Sequence, residues 1–185
     1  MEVKNLVKEV ANFLQLSNVL AVDLDDETEL AGMDDLTKRD VNLIVSCLNQ
    51  TLTTIATEYV ELLTSENITV QNGQFNLDDL EKKCYKIKKV GNFEKFEIVG
   101  NKLKLDDGNY DIIYSYFPEE LELDDEFDFY ENLSKYAICY GICSEYCLIL
   151  GDFSQSETWE SKFENAMEMA KSQLKVVSIK SRRWL

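Results

Sequence analysis

Residues 68–77, "ITVQNGQFNL", decide the fold class. An Asn-Gly pair, Asn72-Gly73, stands between two short apolar stretches. Both residues accept the positive φ that a two-residue hairpin turn demands, so the pair predicts a β-hairpin. Downstream, "KCYKIKKV" (83–90), "FEKFEIV" (93–99), "NKLKL" (101–105) and "NYDIIYSYF" (109–117) alternate or are rich in aromatics. The glycines of "VGN" and "DDGN" separate them. The expectation is one small antiparallel sheet of three to five strands over about residues 67–117. Pro118, the only proline, closes it.

On either side the period changes to 3.6. Val3, Leu6, Val7, Val10, Phe13 and Leu14 share one face of a helix over about 2–16. Val41, Ile44, Val45, Leu48, Leu52, Ile55, Ala56, Tyr59 and Leu63 predict a longer helix over 37–63. Thr37 and Asp40 have the spacing of a capping box at its start. Between these helices lies "DLDDETELAGMDD" (23–35), with seven acids and no base, read as a solvated connector. Asp23, Asp25 and Glu27 alternate like calcium ligands. However, Thr28 and Asp34 stand where an EF-hand needs its glycine and its bidentate glutamate.

After the acidic run Glu119–Glu131, residues 131–150 are apolar almost all round, which predicts a helix covered on several sides. Gly151 is the expected stop. Ser154 and Glu157 have capping-box spacing, and Trp159, Phe163, Ala166, Met167, Ala170, Leu174 and Val177 form the next stripe. These two helices are expected to make an antiparallel hairpin over about 131–177. The fold class is therefore α+β: a predominantly helical bundle of about four helices in a single domain, 1–185, with an inserted antiparallel β-sheet.

Composition narrows function. The 185 residues carry 19 basic and 35 acidic side chains, a net charge of −16, with no histidine. Such a charge repels phosphate over most of the surface and argues against a nucleic-acid-coating protein. Without histidine there is no Ser-His or Cys-His pair, and there is no glycine-rich phosphate loop. No catalytic residue, cofactor or metal is expected. Cys139, Cys143 and Cys147 lie four apart along one helix, too spread for one ion to bind all three, and are read as core thiols. No stretch is long and apolar enough to predict a membrane span, and the start lacks the features of a secretory signal. A soluble intracellular protein is expected.

The end of the chain departs from the rest. From Lys171 to Leu185 there are five basic residues and no acid. Cations suit the negative end of a helix, expected near Val177, which accounts for Lys171, Lys175 and Lys180. The segment 178–185, "SIKSRRWL", adds Trp and Arg, residues enriched where proteins dock. Ile179, Lys180, Arg182, Arg183, Trp184 and Leu185 are the candidate partner-binding residues. The alternative is that Trp184 folds back over the helical hairpin.

The order of these features resembles the head–tail adaptor, or head-completion, proteins of tailed bacteriophages and prophages. Two N-terminal amphipathic helices precede a β insertion. An aromatic strand then runs into a proline and an acidic stretch, "DIIYSYFPEELELDDEF" (111–127). An apolar helix carries "YGICSEYCLILGD" (140–152), a Trp-containing helix carries "SETWESKFENAMEMA" (156–170), and the end is basic, "KSRRWL" (180–185). The likeness spans most of the chain from about Asp35, and the acidic loop 23–35 has no counterpart in it. It implies a structural virion protein rather than an enzyme, one that forms a ring, by family a dodecamer, beneath the portal protein. It further implies a tail-side neck partner, DNA passing through the lumen without specific binding, and residence in the host cytoplasm before the virion neck. The portal-docking role carries over to the matching end, Lys180, Arg182, Arg183, Trp184 and Leu185. Another phage tail-completion protein, or a small acidic host-directed binding protein, are the alternatives.

Overall fold

The computed structural model describes residues 1–93, 96–128 and 133–174, the last three of these for their backbone alone. The chain divides into two compact units, residues 1–51 with 120–185, and residues 52–119. The second is inserted into the sequence of the first. The class is mixed: helices in the first unit and two small antiparallel sheets in the second.

The described residues hold six α-helices rather than about four. These are α1 (Val3–Phe13), α2 (Ser17–Leu20), α3 (Glu27–Gly32), α4 (Asp35–Thr54), α5 (Lys135–Ile149) and α6 (Phe153–Leu174). The two extra ones, α2 and α3, are a turn or so long and too short to show a period. The acidic stretch 23–35 is therefore not all connector. Asp26 starts α3 by accepting the Thr28 amide at 2.7 Å, the N-cap arrangement that satisfies an otherwise orphaned donor.

The caps of the long helices also differ from expectation. Asp34, not Thr37, caps α4, with its carboxylate on the Thr37 amide at 2.7 Å. Asp152, not Ser154, caps α6. Its carboxylate takes the Gln155 amide at 3.2 Å, and Gln155 Nε2 returns a bond at 2.9 Å. In both cases the capping Asp stood two or three residues upstream of the candidate. The expected 37–63 helix stops being α-helical at Thr54 and continues as a π-turn, Ile55–Tyr59. Leu63 opens a strand instead. The β-branched run through Thr51–Thr57 is a poor helix filler and a fit place for that change.

The helical unit packs α5 between other helices. Ala137, Ile138, Cys139, Ile142, Cys143 and Cys147 are buried along it, with Val3, Leu6, Val7 and Val10 of α1, Ile44 and Leu48 of α4, and Phe163 and Met167 of α6 in the same unit's core. Gly141 marks the closest approach. A Cβ there would lie 2.5 Å from Thr51 Cγ2 and 3.2 Å from the Phe163 ring. Gly151, at φ +80°, ends α5, and the Asp152 amide bonds Cys147 O at 2.9 Å across it, as a left-handed helix stop requires. All-round apolarity did not mean all-round burial, because Leu148, Ile149 and Leu150 at this end are exposed.

Among its described residues, the inserted unit has two three-stranded sheets, not one. Strands β1 (Leu63–Val70), β6 (Gly108–Tyr116) and β3 (Cys84–Val90) form the first, in the order β1-β6-β3. Strands β2 (Gln74–Asn76), β5 (Lys102–Lys104) and β4 (Glu97–Val99) form the second, in the order β2-β5-β4. The Asn72-Gly73 turn exists, at φ 55° and 73°. The strands it joins pair only through Gln71 and Gln74 before β2 leaves for β5. One apolar core serves both sheets: Ile68, Val70, Ile87, Val90, Leu103, Ile112 and Tyr114. Buried Tyr114 keeps its hydroxyl satisfied, donating to Glu66 at 3.1 Å and accepting from the Lys82 amide at 3.2 Å.

Candidate interaction surfaces

The thiols of the helical unit are packing groups. Cys47, Cys139, Cys143 and Cys147 are buried and free. Burial pushes Cys47 and Cys139 up to about 12 and raises Cys143 and Cys147 as well. Burial in this way disfavours the thiolate, the form in which cysteine acts as a nucleophile. Among the described residues, no three His, Cys, Asp or Glu side chains are grouped to hold a metal. The acidic loop spends its carboxylates locally, since Asp26 caps α3 and Glu29 accepts the Asp23 amide at 2.6 Å. Buried Asp40 is likewise engaged, by Asn18 at 2.9 Å and Arg39 at 3.0 Å, and its charge helps hold the neighbouring Tyr146 hydroxyl at about 12, after burial.

The two acidic runs meet at one cation. Lys4 Nζ lies 2.7 Å from Asp124 and 3.5 Å from Asp25. The second run also pairs with the start of the chain, through Val3 N to Asp125 O at 3.0 Å and Phe127 N to Met1 O at 2.9 Å. Its backbone is therefore tied down at Asp125 and Phe127, while its acidic side chains stay exposed.

Two surfaces remain without such an explanation. The first is the tip of the α5–α6 hairpin. Leu148, Ile149, Leu150 and Phe153 are 46–69% exposed there. Residues 136–161 contain no Lys or Arg and four acids, Glu145, Asp152, Glu157 and Glu160, so the tip is apolar and acidic. Burial, then Glu160, raises the Glu145 carboxyl above its ordinary range.

The second surface lies along β3. Tyr85, 44% exposed, meets the Phe117 ring edge-on at 5.1 Å. Lys83 Nζ stands 5.5 Å over Phe117, and Lys82 stands 5.3 Å over Tyr116. Lys82 is paired with Glu119 at 2.6 Å and Lys88 with Glu61. Among the described residues Lys83 and Lys86 carry no ion pair. Sequence reasoning missed this surface. Its signal was plain in the count, because residues 82–104 hold eight of the chain's 19 basic residues against two acids. Summing charge over the whole body hid it.

A third feature is an aromatic stack. Phe13, Tyr140 and Trp159 have centroids 5.7–5.9 Å apart, and Lys162 Nζ sits 4.0 Å over Trp159. The rings are half-buried and bind α1, α5 and α6 to one another, which accounts for them structurally.

The residues chosen from sequence, Ile179, Lys180, Arg182, Arg183, Trp184 and Leu185, lie outside the described residues, as does Val177 of the expected stripe. Among the described residues, no helix is long and apolar enough to cross a membrane. The chain matches no protein-family model, and no curated protein is similar enough to count as a relative.

Proposed function

We propose that this protein is a structural assembly protein, a ring-forming head–tail adaptor that docks on a portal and joins a DNA-filled phage head to its tail. The observation that carries the proposal is the exposed apolar tip of the α5–α6 hairpin, Leu148, Ile149, Leu150 and Phe153. Four large apolar side chains exposed together at one hairpin tip are what a subunit needs in order to be covered by a neighbour. The order of elements adds support: N-terminal helices, an inserted β unit, then an apolar helix and its Trp-bearing partner. The segment Ile179–Leu185 is the portal-docking peg, with Trp184 as anchor and the two arginines meeting acidic rim residues. The acidic body suits a channel through which DNA slides without sticking. The protein has no catalytic role in this account.

Electron microscopy of the full-length chain mixed with its purified cognate portal tests the proposal. The expected result is an added ring of density on the portal. A portal that stays bare at saturating protein would refute it.

A further inference from the structure

We infer that the α5–α6 hairpin tip of one copy docks on the β3–Phe117 surface of a second copy. The inference deepens the ring-forming proposal and rests on that part of it. Both surfaces are exposed in the isolated chain, and both present large apolar groups: Leu148, Leu150 and Phe153 on the tip, Tyr85 and half-buried Phe117 on the other. Their charges are opposite. The tip is flanked by Asp152 and Glu157 with no base from residue 136 to 161, whereas Lys83 and Lys86 have no ion pair among the described residues. Apolar contact supplies affinity, and the opposed charges set the register and speed the encounter.

The two surfaces are different, so the contact is heterologous. Each copy offers one tip and one β surface, and repetition gives a ring or an open filament. Duplex DNA is the other polyanion that Lys83 and Lys86 could meet. It would leave the apolar tip uncovered, and the chain's net charge of −16 opposes it.

Sedimentation velocity of the full-length chain over a concentration series, at low and at high salt, tests the contact. Wild type should associate reversibly, more weakly in high salt. The doubly reversed K83E/K86E variant and the E157K variant should each associate at least ~10-fold more weakly, while an equimolar mixture of the two should recover the loss. F153S should weaken association at both salt concentrations. All four side chains are exposed, and far-ultraviolet circular dichroism checks that folding is intact. A wild type that stays monomeric throughout, or variants that associate like wild type, would overturn the inference. So would duplex DNA binding that K83E/K86E abolishes, which would make β3 a nucleic-acid surface. The charge variants should still be captured by the portal through their unaltered C-terminal segment. Capture without any effect of the variants on association sinks this contact alone, whereas failure of wild type to be captured sinks the adaptor proposal.

Discussion

Gly141 of α5 faces Thr51 of α4 across a gap that admits no side chain: a Cβ on the glycine would lie 2.5 Å from the threonine methyl. Glycine in a helix interior ordinarily costs about 1 kcal/mol against alanine. Here the alanine would force α4 and α5 apart or distort Thr51, and Phe163 at 3.2 Å blocks the other side. Gly141→Ala should therefore destabilise the protein by a net ~1–3 kcal/mol, despite its better helix propensity. Adding Thr51→Ser, which removes the methyl, should restore most of the loss. Denaturant unfolding of the single and double variants measures both.

The same threonine carries a second prediction. Thr51 Oγ1 is buried with no hydrogen-bond partner among the described residues. An unpaired buried hydroxyl costs roughly 1–3 kcal/mol. Thr51→Val keeps the branched shape and removes the polar atom, so it should stabilise the fold by about 1 kcal/mol. Thermal unfolding should show a raised midpoint, and a lowered one would contradict the assignment.

Leu148 and Ile142 occupy one helix and should behave differently. Ile142 is fully buried, while Leu148 is 46% exposed. Ile142→Ala should cost ~2–5 kcal/mol of monomer stability through the cavity it leaves. Leu148→Ala should cost less, ~1–2 kcal/mol, because about half of that residue stays in water in the monomer. It should also weaken association.

Alkaline pH should weaken the helical unit before it ionises the native thiols. Burial raises Cys47 and Cys139 from an ordinary 9.0 to about 12. The folded chain therefore holds more protons than the unfolded chain between those values, and stability falls as pH rises through that window. Below pH 9 the contribution is fully present. Equilibrium unfolding from pH 8 upward should show the decline, and Cys139→Ala should flatten it. At pH 8, Cys84, the only half-exposed thiol among the five, should react first with a thiol reagent.

The sequence was readable where local chemistry and tertiary packing agree. The Asn72-Gly73 turn and the stripe from Val3 to Val10 depend on a few adjacent residues, and both are present. Helix starts were misplaced where several capping residues crowd together, as with Asp34 before Thr37 and Asp152 before Ser154. Leu63 continued a helical spacing by coincidence, because the backbone had already changed at Ile55. Splitting of the β segment into two sheets was not legible, since three-residue strands carry too few side chains to specify a partner. Neither was exposure at Leu148, because an apolar pattern does not say which side a neighbour covers. The β3 surface is a tertiary arrangement of Lys83, Tyr85 and Phe117, and only its excess of lysine was visible beforehand.

In the proposed adaptor, residues 178–185 are the portal-docking peg. The apolar stripe that the sequence places on α6 is complete at Val177, so a chain truncated after it should keep its fold. Quantitative capture by immobilised cognate portal, comparing the truncated and full-length chains, is the most direct measurement. The account predicts that truncation abolishes capture and that Trp184→Ala alone weakens it by at least ~2 kcal/mol. Capture of the truncated chain with full-length affinity would contradict it.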